Sequence, residues 1–465
     1  MNLKSNIIIP IISALIVISC GGGGGGGSTN TSDTNYSQQW HMGEDYLNIT
    51  YVHQNYRSDN SNIIIQIVDD PIQNTHPDLK DNMDCNNSYD FTTNETKCGN
   101  IKGVTLHDDD HGTMVAGIAA SRGYNGIGVR GVAPLSKMVS YNLLSSNDMS
   151  IFPIQKAFLT GPNANNITVS SNSWGFQIIP PLMSDFENIE AILQQGTSLL
   201  RDGKGRIYVV AAGNDRLYNF SSNNEYILNN PYVITVAALN KNNKHTTYST
   251  QGSNILISAY GDEFDKNDTF LYGITTTTFD ENNNSIYTDE MGGTSAATPM
   301  VSGGIALLIE ACPNLTYKDV SYILAKTAIK VDKENPTWVQ NSAELYHSID
   351  YGFGKINING AINMCLGENG YQKYISIGTQ NSTIDANSTL SVNENIPYNT
   401  SNTYTSLQKN ITIDDNITIE WIGLHLDLNL TNLTDFEFNL TSPSGTTNNL
   451  LQHNSTTYFM YNESY

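Results

Sequence analysis

Hydrophobic positions along the chain fall into three textures. An apolar run from Ile7 to Ile18 opens it. Apolar and small-residue segments follow it, up to a change of texture after Asn363. The near-continuous β-branched run Ile63-Ile64-Ile65-Gln66-Ile67-Val68 predicts a strand buried on both faces of a parallel sheet. It ends in Asp69, which places that carboxylate at the strand's C-terminal end, where open α/β sheets gather their sites. Asp70 would point to the opposite strand face if the strand continued, and receives no role. The small-residue segments after His111 and after Ser295 predict helices packed tightly on the sheet, the second carrying Pro299 and the pair Gly303-Gly304. Beyond Asn363 the texture turns polar and rich in Asn and Thr. There Ile411-Thr412-Ile413, Ile417-Thr418-Ile419, Leu424 to Leu430 and Phe436 to Leu440 alternate as half-buried strands do. The chain therefore divides into an α/β domain over 39–366, a parallel sheet flanked by helices, and a smaller all-β sandwich over 372–465.

Length and charge agree with that division and narrow the partners. The 465 residues suit two domains, and 39% hydrophobic against 15% charged residues is enough apolar surface for a core. A formal net charge of −22 repels phosphate backbones and argues against nucleic-acid binding. The run Ile7 to Ile18 is short for a spanning helix, follows Lys4, and matches a signal peptide over 1–19. Its end, Val17-Ile18-Ser19-Cys20, resembles the lipobox of bacterial lipoproteins, in which the cysteine is acylated. The other reading is a plain secretory signal with an incidental Cys20. Gly21 to Gly27 and the Ser/Thr/Asn stretch after them predict a flexible tether over 20–38. No acidic residue follows Cys20, as in lipoproteins sent to the outer membrane. The expectation is an exported protein of a bacterial envelope, held to the membrane by a lipid on Cys20. In that oxidising setting the remaining cysteines predict two bridges, Cys85 with Cys98 across a polar loop and Cys312 with Cys365. A four-cysteine metal site lacks any C-x-x-C spacing.

Three segments carry candidate chemistry: Asp69-Asp70 at a strand end, His111-Gly112-Thr113 at a loop-to-helix junction, and Gly292-Gly293-Thr294-Ser295 opening a helix. Each alone has a structural explanation. In the order Asp, His, Ser they match a carboxylate that orients an imidazole, an imidazole that takes a proton, and a hydroxyl that needs it removed. Here the chain resembles the subtilisin-like serine proteases. The likeness extends through Thr75-His76-Pro77-Asp78-Leu79, Asn125-Gly126-Ile127-Gly128-Val129, Ser171-Asn172-Ser173-Trp174-Gly175 and Val209-Val210-Ala211-Ala212-Gly213-Asn214. The Asp69-Asp70 pair, Asn172 to Gly175, Pro313-Asn314-Leu315-Thr316 and Tyr351 to Ile356 look like the kexin and proprotein convertase branch. The segment Thr441 to Leu451 resembles the P domain that follows the protease in that branch.

The resemblance implies a subtilisin-like fold and a serine endopeptidase acting on polypeptides. It assigns Asp69, His111 and Ser295 to catalysis and Asn214 to the oxyanion hole. Ser173, Trp174 and Gly175 would receive the substrate strand, and Asp78 and Asn125 would hold a structural calcium, which favours such oxygen donors. Asp108-Asp109-Asp110 reads as a solvated loop. Three departures qualify the likeness. Phe176 to Pro181 brings no acid to follow Gly175, although kexins select basic residues with acids. The stretch between Cys20 and Asp69 leaves no room for an inhibitory pro-domain, which implies a folding helper in trans. With the chain ending at Tyr465, the resemblance leads to the expectation of a P domain without its final strands. The rival class is a non-catalytic surface lipoprotein using the same fold as a binding module; an adhesin built on the Asn-rich segments would rest on composition alone.

Overall fold

The computed structural model describes residues 32–59, 62–101, 110–146, 148, 150–175, 187–264 and 271–376, then 407–410, 412, 422, 437–443 and 445–451. The signal, the glycine tract, Phe176 to Pro181, Asp108-Asp109 and most of the proposed sandwich lie outside the described residues.

Seven strands form one parallel sheet: β1 (Ile64–Asp69), β2 (Tyr89–Asp90), β3 (Lys137–Asn142), β4 (Val169–Asn172), β5 (Ile207–Ala211), β6 (Val233–Leu239) and β7 (Ile255–Tyr260). Their spatial order is β2-β3-β1-β4-β5-β6-β7. The α/β expectation holds, and its cause is visible in β1. All six of its residues are buried, with Ile65 and Ile67 in one core and Ile64 and Val68 in the other. A strand covered on both faces favours apolar side chains on both of its sides, and the buried Gln66 answers with a hydrogen bond to the Ala157 carbonyl.

The helices are α1 (Ile49–Val52), α2 (His111–Ala120), α3 (Ile151–Gln155), α4 (Glu187–Leu199), α5 (Gly293–Ala311), α6 (Tyr317–Thr327) and α7 (Ile358–Leu366). Both α2 and α5 are buried over most of their length, which explains their Gly and Ala content. They pack on each other, with α5 crossing β4 to β7. On the other face, Ile189 and Leu193 of α4 join Phe158 and Tyr208 in the second core.

Outside the main sheet, β8 (Ile274–Phe279) and β9 (Ser285–Met291) form an antiparallel hairpin against α2. Two further pairs are β10 (Val339–Gln340) with β11 (Tyr346–His347), and β12 (Phe438–Thr441) with β13 (Thr447–Leu451). The last hairpin is the described part of the expected β-rich C-terminal region.

Both expected bridges, Cys85–Cys98 and Cys312–Cys365, are present. The tether, expected to run to residue 38, gives way to folded chain by Asp33. That carboxylate is buried, pairs with Arg130 at 2.8 Å and accepts from the N–H groups of Tyr124, Asn125 and Gly126. Two guanidinium and three backbone N–H donors on one carboxylate are reason enough for the segment to settle there.

Candidate active site

Parallel pairing places the carboxyl ends of β1, β4 and β5 side by side, because Val68 registers with Asn172 and Asn172 with Val210. Asp69 ends β1, Ser173 follows β4, and Asn214 stands just past β5. Residues remote in sequence thus share one sheet edge.

Asp69 is fully buried, and His111 is the first residue of α2. His111 Nδ1 lies 2.7 Å from Asp69 Oδ1, which also accepts from the Asp70 N–H at 2.8 Å. A carboxylate only accepts, so Nδ1 carries a proton, and in the neutral imidazole Nε2 is the acceptor. Gly112 permits this closeness: a Cβ there would collide with the Asp70 carbonyl oxygen. Burial alone draws the imidazole's pKa down. The Asp69 carboxylate, as charge and as acceptor, outweighs it, and with Asp70 and Asp110 behind it the value is raised from 6.5 to about 9.

Asp70 corrects the sequence reading. The strand stops at Asp69, so Asp70 does not continue its alternation to the far face. Side-chain ligand atoms of Asp69, Asp70 and His111 all lie within 4.8 Å of one another. Asp110, expected in a solvated loop, instead accepts a hydrogen bond from Thr278 Oγ1 at 2.8 Å.

Ser295 is the third residue of α5, near the positive end of that helix. Its Oγ donates to the Ser173 carbonyl at 3.1 Å, and Ser173 Oγ donates to the Ser295 carbonyl at 3.0 Å. Trp174 is both core and anchor. Its ring stacks on Phe158 with centroids 6.2 Å apart, and its Nε1 donates to Val68 O at 2.8 Å. That tie fixes the 173–175 backbone beside the end of β1. Asn214 is exposed, and its Oδ1 accepts from Thr294 N–H and Oγ1, both at 3.0 Å. With Oδ1 engaged, Nδ2 is the end of the amide that faces Gly293.

Sequence reasoning missed Glu225. Phe176 to Pro181, directly after Gly175, holds no acid, but the fold brings this one from after β5. A Cβ on Gly175 would stand 3.7 Å from Glu225 Oε1, while Oε2 accepts from the Leu228 N–H at 3.0 Å. The separation of 50 positions hides the pair from any local reading.

Asp78 and Asn125 meet away from this edge. Asp78 is fully buried; Asn125 Nδ2 donates to its Oδ1 and Val129 N–H to its Oδ2, each at 2.9 Å. Burial pushes the Asp78 carboxyl up to about 6 despite those donors. Asn125 Oδ1 accepts from the Ile127 N–H at 2.9 Å, so a cation held by Asp78 and Asn125 together would require that amide to turn and release this bond.

This is an α/β fold with a buried carboxylate bonded to a half-buried imidazole, and a helix-borne serine at one edge of its sheet. The chain belongs to the subtilase family, whose sequence profile matches residues 60–354. It is 31% identical to kexin of Saccharomyces cerevisiae over 350 residues, 72% of this chain and 40% of that protein. The chain thus spans well under half of that relative. A crystal structure of the serine protease of Aeromonas sobria matches with a TM-score of 0.64 at 25% identity, covering 74% of this chain and 69% of that one. A second structure holds the Aeromonas protease in complex with a chaperone, at TM-score 0.62 and 25% identity, with 73% and 68% covered.

Proposed function

We propose that this protein is a serine endopeptidase that cleaves polypeptides through Asp69, His111 and Ser295. The observation that carries the reading is the 2.7 Å bond between His111 and the buried Asp69 on the edge that also holds Ser295. Ser295 Oγ attacks the substrate carbonyl carbon as its proton passes to His111 Nε2. Asp69 holds the Nδ1 tautomer and stabilises the imidazolium. The resulting oxyanion accepts from Asn214 Nδ2 and the Ser295 N–H. The imidazolium then protonates the leaving amine, the C–N bond breaks, and an acyl-enzyme remains. Water deprotonated by the same imidazole releases the acid.

Substrate lies as an extended strand along the 173–175 backbone. Glu225 beside Gly175 adds a negative charge there, which favours a basic side chain at the cleavage position. Calcium, held by Asp78 and Asn125, would brace the 124–129 loop against the core. Export, lipid anchoring through Cys20 at the outer membrane, a sandwich over 372–465 and a folding helper in trans complete the proposal; the chaperone-bound Aeromonas relative supports the last.

The test is labelling of residues 21–465 by a fluorophosphonate, with Ser295→Ala as control. Labelling that the control loses supports an assembled site. A folded protein that takes no label, with calcium present, overturns the proposal in favour of a binding module.

A further inference from the structure

The strand β8 carries four consecutive threonines, Thr275 to Thr278, all buried. Burying four hydroxyls in a row is costly unless each finds a partner. Thr276 Oγ1 donates to the Met114 carbonyl at 2.7 Å, Thr277 Oγ1 to the Thr113 carbonyl at 2.8 Å, and Thr278 Oγ1 to Asp110 Oδ2 at 2.8 Å. All three acceptors belong to the start of α2, on either side of His111. The two carbonyls are helix acceptors with a spare lone pair, so the hydroxyls add to the helix's own bonds. Asp110 occupies the N-cap position of α2, yet its side chain caps no helix N–H; Thr278 engages it instead.

The approach is close by construction. Gly117, one turn further along α2, sits where any Cβ would run into the hydroxyls of Thr276 and Thr277. The hairpin also continues from Met291 of β9 straight into α5 and Ser295. One supersecondary unit therefore grips the helix of the imidazole and leads into the helix of the hydroxyl.

We propose that Thr276, Thr277 and Thr278 are positioning residues that hold the first turn of α2, and with it His111, in register with Ser295. This rests on the peptidase reading above. A plain packing role predicts that shape matters and the hydroxyl does not; positioning through hydrogen bonds predicts the reverse. Valine keeps the shape and loses the hydroxyl, whereas serine keeps the hydroxyl and loses the methyl.

The experiment compares Thr277→Val with Thr277→Ser, and Thr278→Val with Thr278→Ser, in the full soluble chain. Readouts are kcat and KM on a peptide substrate, the rate of fluorophosphonate labelling, and a thermal melt. Expected are a fall in kcat of about 10- to 100-fold for each valine variant, KM within about twofold, and near wild-type kcat for each serine variant. Valine variants as fast as wild type, or serine variants as slow as valine ones, overturn the proposal while leaving the peptidase reading intact. A wild-type chain that neither cleaves nor labels removes both. Where Thr277→Val shows no cooperative melt, the Thr278 pair decides, because that hydroxyl reaches a side chain and not the helix backbone.

Discussion

Ser173 and Ser295 exchange hydrogen bonds, each hydroxyl donating to the other's carbonyl. The segment proposed to receive substrate and the first turn of α5, which carries Ser295, are thereby tied at two points. Ser173→Ala removes the tie that holds the Ser295 backbone. A net hydrogen bond of about 1 kcal/mol corresponds to a fall in kcat of about fivefold. Steady-state kinetics with unchanged kcat would show that the backbone of Ser295 is held elsewhere.

Asn214 makes a sharper prediction. Its Oδ1 is anchored by Thr294, so Nδ2 is pre-aimed, and a donor fixed before the reaction needs no reorganisation in the transition state. Asn214→Ala is expected to lower kcat by about 100- to 1,000-fold with little change in KM. A large rise in KM instead would mark Asn214 as a ground-state contact.

The pH profile follows from His111. The base must be neutral, and its pKa is raised to about 9 by Asp69, Asp70 and Asp110. Activity measured as kcat/KM should therefore be low at neutral pH and climb as pH rises through about 9. Asp70→Asn removes one negative neighbour and should move that limb to lower pH. The linked effect on stability has the opposite slope: the charged imidazole's contribution is complete below its unfolded pKa of 6.5 and is lost as pH rises through about 9. A limb near pH 6.5 in the wild type would contradict this account.

Glu225 should set preference. Glu225→Gln keeps the shape beside Gly175 and removes the charge, so peptide-library profiling should show a loss of about tenfold in kcat/KM for Lys or Arg at the cleavage position and little change for uncharged residues. Equal losses for every substrate would assign Glu225 to loop structure through its bond to Leu228.

Calcium should appear as stability. At a hundredfold excess over Kd a bound ion adds about 2.7 kcal/mol, so a chelator should lower Tm and added calcium restore it. Asp78→Ala should abolish that response. A melt indifferent to chelation would mean that the hydrogen bonds around Asp78 suffice.

Much of this architecture is legible in the chain alone, for reasons local to the backbone. A β-branched run buried on both faces declares a central parallel strand, and Gly/Ala-rich stretches declare helices that pack tightly. Asp69, His111 and Ser295 stand at the junctions between such segments, so their arrival at a common edge follows from topology. Side-chain partners across the fold are another matter. Asp70 joins the site because β1 stops at Asp69 and α2 packs on the Asp70 backbone. Asp33 folds in because Arg130 and three backbone N–H groups wait for it, although it follows a glycine tract. Glu225 reaches Gly175, and Thr276 to Thr278 reach α2, only once sheet and hairpin are assembled. Periodicity and junction motifs are written over a few neighbouring residues and survive in one dimension. Hydrogen bonds and charge pairs between distant segments depend on angles and distances that exist only after the core has closed.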